Sequence, residues 1–278
     1  MQIFIYGNDT RLVECRRLLC QAIETGAFCE RRFADIHLLP IPSRAVKVED
    51  MKSNLCVLKE TEGEGVSPCV NCPCCEGKPT VKKSLVVGYE VPSFFYEMDG
   101  VEVFDLSFDE RFLWRNARLC ALGTLGVVLT AHTRVPSELH IGVIGYGRIG
   151  REVCELFSFL ETPLVVFTSN TEALTSLTER SIPSILVNWK EKVRENVNSI
   201  LQNNGISTPI DILINTSPTP LGETFFDGFV GTVYDLASGK PIPESVVHTR
   251  LSSLPMRMYA QSAGHAVYQA ILEHFISI

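Results

Sequence analysis

The sequence lacks an excess of positive charge. Its 278 residues include 25 lysines and arginines against 32 aspartates and glutamates, which gives a formal net charge of -7. A protein that binds nucleic acid needs a basic face for the phosphates, so this balance argues against a nucleic-acid partner. Apolar residues at 45% and charged residues at 21% are ordinary values for a globular protein and exclude a disordered chain.

The sequence also lacks an apolar run long enough to cross a bilayer. The longest run, 119–131, is too short and is interrupted by glycines. Residues 1–7 have the alternation of a strand and not the charged and apolar blocks of a signal peptide. We therefore expect a cytosolic protein without a membrane partner, whose ten cysteines form no disulfides.

Strand and helix patterns alternate along the chain, which is typical of α/β domains with parallel sheets. We predict a two-domain protein with an N-terminal α/β domain over 1–136 and a C-terminal Rossmann domain, a doubly wound parallel sheet, over 137–257. A C-terminal helix over 258–278 is expected to pack back on the first domain. A polar, cysteine-rich insert near 43–83 interrupts the first domain.

Periodicity and turn residues give the individual elements. The predicted strands are 2–6, 35–39, 84–88, 101–106, 139–144, 163–168, 185–187, 211–215 and 233–236. The predicted helices are 10–25, 109–132, 151–160 and 259–275.

The most specific motif is a glycine loop, GYGRIG over 145–150, placed between a predicted strand and a predicted helix. In dinucleotide-binding domains the first glycine makes the tight turn and the second lets the backbone approach the pyrophosphate. The third lets the helix pack closely on the strand. A second strand follows at the distance of a βαβ unit, which favours a nicotinamide dinucleotide site over a glycine-rich turn without a ligand. The predicted phosphate contacts are Gly145, Gly147, Arg148, Ile149 and Gly150.

Neutral residues end the second strand of the predicted Rossmann domain. NAD sites usually place an acid there for the ribose hydroxyls, whereas this sequence has Thr168, Ser169 and Asn170. Short polar side chains tolerate a 2′-phosphate, so we favour NADP over NAD as the cofactor; the alternative is that these residues only cap a turn. Loops after two later strands are expected to line the nicotinamide end. Their predicted contacts are Asn215, Thr216, Ser217, Pro218, Asp235 and Ala237.

The order and spacing of these pieces resemble the A subunit of dipicolinate synthase from spore-forming bacteria. The resemblance covers most of the chain outside the insert. The similar segments are 6–11, 34–42, 123–125, 145–150, 214–216, 234–238, 254–255 and 262–264.

The resemblance implies an NAD(P)-dependent oxidoreductase with a fold like that of shikimate and 2-hydroxyacid dehydrogenases and with substrate between its domains. It also implies formation of pyridine-2,6-dicarboxylate from a lysine-pathway intermediate, together with a flavoprotein-like B subunit. Two positions depart from the family, because Leu122 stands where a glutamate is usual and Gln261 where a lysine is usual. If those charges hold the dicarboxylate in the family, we expect that this chain does not make dipicolinate.

A hydride-transfer site needs a proton carrier and donors for a carboxylate. The candidate catalytic residues are His132, Asn215 and Gln261. The candidate substrate-binding residues are Arg11, Gly123, Thr124 and Ser262. For His132 the alternative is a histidine that satisfies carbonyls at a helix end. For Arg11 the alternative is a solvated residue in the first turn of a helix.

Four cysteines cluster in the insert at Cys69, Cys72, Cys74 and Cys75. A C-x2-C spacing suits zinc, but structural sites usually join two separate pairs, and these thiols are too close together for one tetrahedral shell. We predict no metal. Metal binding, redox-active thiols and a flexible loop stay open as alternatives, and the cluster supports a second hypothesis, a non-catalytic nucleotide- or redox-sensing protein.

The first testable prediction concerns cofactor choice. Because no acid follows Phe167, nothing repels a 2′-phosphate at the end of the second strand, and we expect NADPH to bind at least as tightly as NADH. Parallel calorimetric titrations of the two nucleotides measure this directly. A clear preference for NADH would show the interpretation of 168–170 to be wrong.

Overall fold

The structure, a computed structural model, describes residues 1–25, 33–43, 83–189 and 195–276. The chain divides into two compact units, Met1–Asn116 with Tyr259–Ile278, and Ala117–Met258. Each unit has its own parallel sheet. The predicted fold class, α/β with a C-terminal Rossmann domain, is confirmed. The cysteine cluster at 69–75 lies outside the described residues.

The elements follow in chain order. The strands are β1 (Gln2–Ile5), β2 (Phe33–Leu38), β3 (Lys83–Gly88), β4 (Val101–Asp105), β5 (Ile141–Ile144), β6 (Leu164–Thr168), β7 (Ser184–Leu186), β8 (Ile212–Asn215), β9 (Thr232–Asp235) and β10 (Thr249–Arg250). The α-helices are α1 (Thr10–Glu24), α2 (Glu110–Ala131), α3 (Arg148–Phe159), α4 (Thr171–Glu179), α5 (Val197–Asn203), α6 (Glu223–Phe226), α7 (Leu254–Met258) and α8 (Ala260–Ile276). None of the helices in these ranges is long and apolar enough to cross a bilayer.

The first unit is built on a four-stranded sheet with the order β1-β2-β3-β4, in which every neighbouring pair is parallel. One face of the sheet packs against α1 and α8, because both helices present apolar stripes to it. Gly264 of α8 is essential to this packing. A Cβ atom at Gly264 would lie 2.4 Å from the carbonyl oxygen of Arg11, so the two helix backbones meet directly.

The division between the units falls at Asn116, inside α2, and not at 136 as predicted. The helical pattern is continuous through this region, so the sequence gives no sign of a boundary there. The second half of α2 contributes Ala121 and Val128 to the core of the second unit. This core explains why those residues belong to the second unit.

The second unit has a six-stranded parallel sheet with the order β10-β9-β8-β5-β6-β7. The chain runs outward from β5 through β6 to β7 and then returns to β8 on the other side of β5. This is the doubly wound order of a dinucleotide-binding domain, and its topological switch point lies between β5 and β8. Separate apolar cores cover the two faces of the sheet.

The packing of α1 on α8 gives a stability prediction. We expect Gly264→Ala to lower the free energy of unfolding by about 1–3 kcal/mol, because the new methyl group would push the helices apart. We expect this loss of stability even though alanine has a higher helix propensity than glycine. Ser262→Ala, at an exposed position of the same helix, is the control. Denaturant unfolding measures both variants, and equal stability of the two would contradict the packing described here.

Candidate functional site

The carboxyl ends of β5 and β8 meet at the switch point of the second sheet. Ile144 is paired in register with Asn215, so the loops that follow these strands start side by side. Ligands of open parallel sheets bind in the crevice that opens at such a point. The candidate site is therefore the group of loops after β5, β8 and β9.

The turn after β5 is held by a close backbone contact. Gly145 has φ +90°, a conformation that favours glycine, and its amide donates to the carbonyl of Phe167 over 2.8 Å. A Cβ at Gly150 would lie only 2.3 Å from the carbonyl oxygen of Gly145. The Thr216 hydroxyl also lies 3.0 Å from the carbonyl oxygen of Ile144, to which it donates. The first and third glycines of the motif thus let α3 start directly against the end of β5.

The second glycine faces open space. Gly147 is the N-cap of α3 and has extended backbone; in the part of the chain that the structure describes, no side chain caps it. A Cβ there would meet no described atom within 4 Å. The amides in the first turn of a helix have no partner within the helix, and the helix dipole gives this end positive character. The first turn of α3 can therefore bind an anionic group such as a pyrophosphate.

Two of the predicted phosphate contacts differ in exposure. Arg148 is exposed in the first turn of α3, and Ile149 is half-buried against the core of the second unit. The backbone amide of Ile149 belongs to the first turn, so backbone contact is available at this position. The side chain of Ile149 serves packing.

A buried polar pair holds the loops after β8 and β9 together. Asn215, 0% exposed, donates from Nδ2 to Oδ1 of Asp235 over 2.8 Å and to the carbonyl of Ser217 over 3.1 Å. The Ala237 amide donates to the same carboxylate oxygen over 3.1 Å. Asp235 is 1% exposed, yet its Oδ2 has no hydrogen-bond partner among the described residues.

A buried carboxylate oxygen without a donor is costly, so Oδ2 of Asp235 is suited to accept a hydrogen bond from a ligand. Arg250 of β10 has its Nη1 4.0 Å from this oxygen, too far for a hydrogen bond. Sequence patterns give no sign of Arg250, because β10 is too short to produce a strand pattern.

The end of β6 forms a capped turn, which was the alternative to a 2′-phosphate contact for Thr168, Ser169 and Asn170. Thr168 is buried, and its Oγ1 accepts from the amide of Asn170 over 3.1 Å. Asn170 in turn caps α4 by accepting from the amide of Glu172 over 2.9 Å. Thr168 is therefore committed to the turn, while Ser169 and Asn170 are exposed at the strand end.

Three of the predicted substrate-binding residues have structural roles within the fold. Arg11 is buried, with a two-pronged ion pair to Asp9 at 2.8 and 2.6 Å and a further hydrogen bond to the carbonyl of Ile41. Gly123 makes room for Leu254, whose Cβ would lie 3.1 Å from a Cβ at position 123. Thr124 is fully buried and donates to the carbonyl of Cys120 within α2.

The remaining candidates stay predictions. His132 is half-buried just after α2, with Nε2 3.2 Å from the hydroxyl of Tyr234. Burial raises the pKa of this phenol. Gln261 and Ser262 are exposed in the first turn of α8, in the first unit. The expected position of the substrate, between the domains, is likewise still a prediction.

No family model and no curated protein match this sequence. Solved structures are similar in fold. The A chain of dipicolinate synthase from Bacillus subtilis is 16% identical, with a TM-score of 0.65 over 100% of this chain and 96% of that chain. The corresponding protein from Bacillus halodurans is 15% identical, with a TM-score of 0.66 over 99% and 97%. An L-alanine dehydrogenase is 12% identical, with a TM-score of 0.51 over 99% and 88%. The resemblance inferred from the sequence is confirmed at the level of the fold.

The Asn215–Asp235 pair gives a prediction for stability against pH. Asn215→Asp would bury a second carboxylate beside the first, and we expect a loss of about 3–5 kcal/mol at pH about 8. Repulsion from the neighbouring carboxylate would raise the folded-state pKa of the new aspartate at position 215 above its unfolded value. The deficit relative to wild type should therefore shrink as the pH falls towards about 5.

Denaturant unfolding across this pH range tests that prediction. Asn8→Asp, at an exposed position, is the control and should stay within about 0.5 kcal/mol of wild type throughout. A deficit of Asn215→Asp that does not vary with pH would contradict the buried pairing.

Proposed function

We propose that this chain is a nicotinamide dinucleotide-dependent oxidoreductase that acts on a small carboxylate. The observation that carries the proposal is the open first turn of α3 at the switch point, behind the contact between Gly145 and Gly150. A glycine-rich turn with a merely structural role would need the close contact but not the open space at Gly147. The combination suits a pyrophosphate that lies against the backbone.

The other half of the site fits the same ligand. In a doubly wound sheet the two mononucleotide halves of the cofactor lie on either side of the switch point, so the nicotinamide half belongs with β8, β9 and β10. There the buried Oδ2 of Asp235 has no donor among the described residues, and a carboxamide N–H is a suitable one. When bound, the cofactor supplies or accepts a hydride.

The choice between NADP and NAD depends in this proposal on the exposed end of β6. Ser169 and Asn170 are neutral and short, so they accommodate a 2′-phosphate without repulsion. Thr168 takes no part in this contact, because its hydroxyl is used inside the turn. We therefore propose NADP as the preferred cofactor.

His132 is the proposed proton carrier. Its ring stands edge-on to that of Tyr234, with centroids 6.2 Å apart, and its Nε2 is within hydrogen-bond distance of the phenol. This pairing fixes the ring orientation, which a proton-transferring histidine requires. Tyr234, the hydrogen-bond partner of His132, directly precedes the proposed cofactor contact Asp235 in β9.

The fold and the sequence resemblance together support the proposed substrate class. Two of the similar solved structures are dipicolinate synthase A subunits, and a third is an L-alanine dehydrogenase. These support a small carboxylate as the substrate here. Because Leu122 and Gln261 replace the charges usual in the dipicolinate family, we propose the carboxylate class and not dipicolinate formation itself.

A charge placed at Gly147 tests the cofactor site. We expect Gly147→Asp to weaken NADPH binding at least about 100-fold, because the new carboxylate would stand where the pyrophosphate binds. The fold should persist, since a side chain at this position meets no described atom within 4 Å. Calorimetric titration of NADPH measures the affinity, and a thermal melt checks the fold.

Ser207→Asp is the control for the added charge. Ser207 is exposed in the same unit and precedes β8, so it lies at the amino edge of the sheet, away from the loops after β5, β8 and β9. This variant should bind NADPH like wild type. Undiminished affinity in Gly147→Asp would remove the basis of the proposed function.

A further inference from the structure

Strand β10 places an arginine beside the buried carboxylate of the candidate site. Arg250 is paired in register with Asp235 in the parallel β10–β9 ladder. Paired residues of neighbouring strands point to the same face of a sheet. The guanidinium of Arg250 therefore lies on the face and edge of the sheet where Asn215 and Asp235 form their pair.

This guanidinium is held only loosely. Its Nη1 is 4.0 Å from Oδ2 of Asp235, and its Nη2 donates to the carbonyl of Ala237 over 3.4 Å. A well-formed arginine–carboxylate pair has N–O distances of about 2.7–2.9 Å. The Arg250 side chain is also 38% exposed. Attraction to Asp235 orients the cation, but most of its donor capacity stays available to a ligand.

Two other arginines with known partners are less suited to this task. Arg11 is buried and fully engaged with Asp9 and Ile41. Arg134 forms an ion pair with Asp211, which precedes β8 and so lies at the amino edge of the second sheet, away from the switch-point loops. Arg250 is at the carboxyl edge.

We propose that Arg250 binds a carboxylate group of the substrate. The inference rests on the proposed function and assigns a residue of the second unit to substrate recognition. Arginine presents a planar fork of N–H donors that matches a carboxylate in a two-pronged arrangement. Asp235 lies between the two ligands, because its Oδ2 faces Arg250 on one side and has capacity for the cofactor carboxamide on the other.

The arrangement predicts discrimination between charged and neutral ligands. An anionic carboxylate gains two charge-assisted hydrogen bonds from Arg250, whereas the corresponding amide would leave the guanidinium imperfectly paired. Arg250 also supplies a cation for substrate binding in a chain where Gln261 replaces the lysine that is usual in the dipicolinate family.

The test is calorimetry on the full chain saturated with NADPH, with oxalate, pyruvate and pyridine-2,6-dicarboxylate as probes. We expect at least one probe to bind wild type, and Arg250→Gln to weaken it at least about tenfold. Arg250→Lys should fall between the two, because lysine keeps the charge but not the fork. NADPH affinity should stay within about threefold of wild type in both variants.

Arg134→Gln is the control for charge alone, because it removes an arginine that is 49% exposed and paired with Asp211 at the amino edge of the same sheet. It should bind the probe like wild type. The proposal is overturned if no probe binds wild type, if Arg250→Gln binds normally, or if Arg134→Gln loses as much affinity. It is also overturned if Arg250→Gln loses NADPH in parallel, since Arg250 would then serve the cofactor site through Asp235.

Failure of the proposed function is a separate result. If wild type does not bind NADPH, the cofactor assignment is contradicted. The same probes are then titrated into the nucleotide-free chain. Their affinities for wild type, Arg250→Gln and Arg250→Lys decide whether Arg250 binds the carboxylate.

Discussion

The contact between the carbonyl of Gly145 and the Cα of Gly150 is the constraint on which the candidate site depends. A Cβ at position 150 would lie 2.3 Å from that oxygen, so any other residue would force α3 away from β5. With glycine present, the helix starts directly at the end of the strand and its first turn opens towards the switch point. Any displacement of α3 would carry the open amides away from the loops after β8.

Thr216 connects this first half of the site to the second. Its hydroxyl lies close to the carbonyls of both Ile144 and Gly145, so the loop after β8 is fastened to the glycine turn. Asn215, the residue before it, holds Asp235 from inside the sheet. Hydrogen bonds from two consecutive residues, Asn215 and Thr216, therefore connect the glycine turn after β5 to the end of β9. Buried networks of this kind fix geometry because each unsatisfied member would be costly.

The sequence predicts the glycine turn well because its chemistry is local. A positive φ and a close approach both require glycine, and both are visible from spacing alone. The start of α3 is less accurate, since the helix begins at Arg148 and not at 151. The pattern of apolar residues starts later than the helix, because Arg148 and Gly150 in the first turn add nothing to it and only Ile149 packs against the core.

The structural contacts of Gly123, Arg11 and Arg250 could not be predicted, because a residue type does not reveal what lies opposite it. Gly123 fits equally well as room for a ligand or for a side chain, and here it receives Leu254. Arg11 has the charge to bind a substrate, but Asp9, two residues earlier, already binds it. Arg250 lacks any local signal, since its place beside Asp235 comes from the pairing of distant strands.

The most direct test of the account is a crystal structure of the chain with NADPH bound. The account predicts pyrophosphate oxygens about 2.7–3.2 Å from the backbone nitrogens in the first turn of α3. It also predicts the nicotinamide carboxamide against Oδ2 of Asp235, on the far side of the β5–β8 switch point. A dinucleotide found elsewhere on the chain, or one whose nicotinamide half extends over β6 and β7, would contradict it.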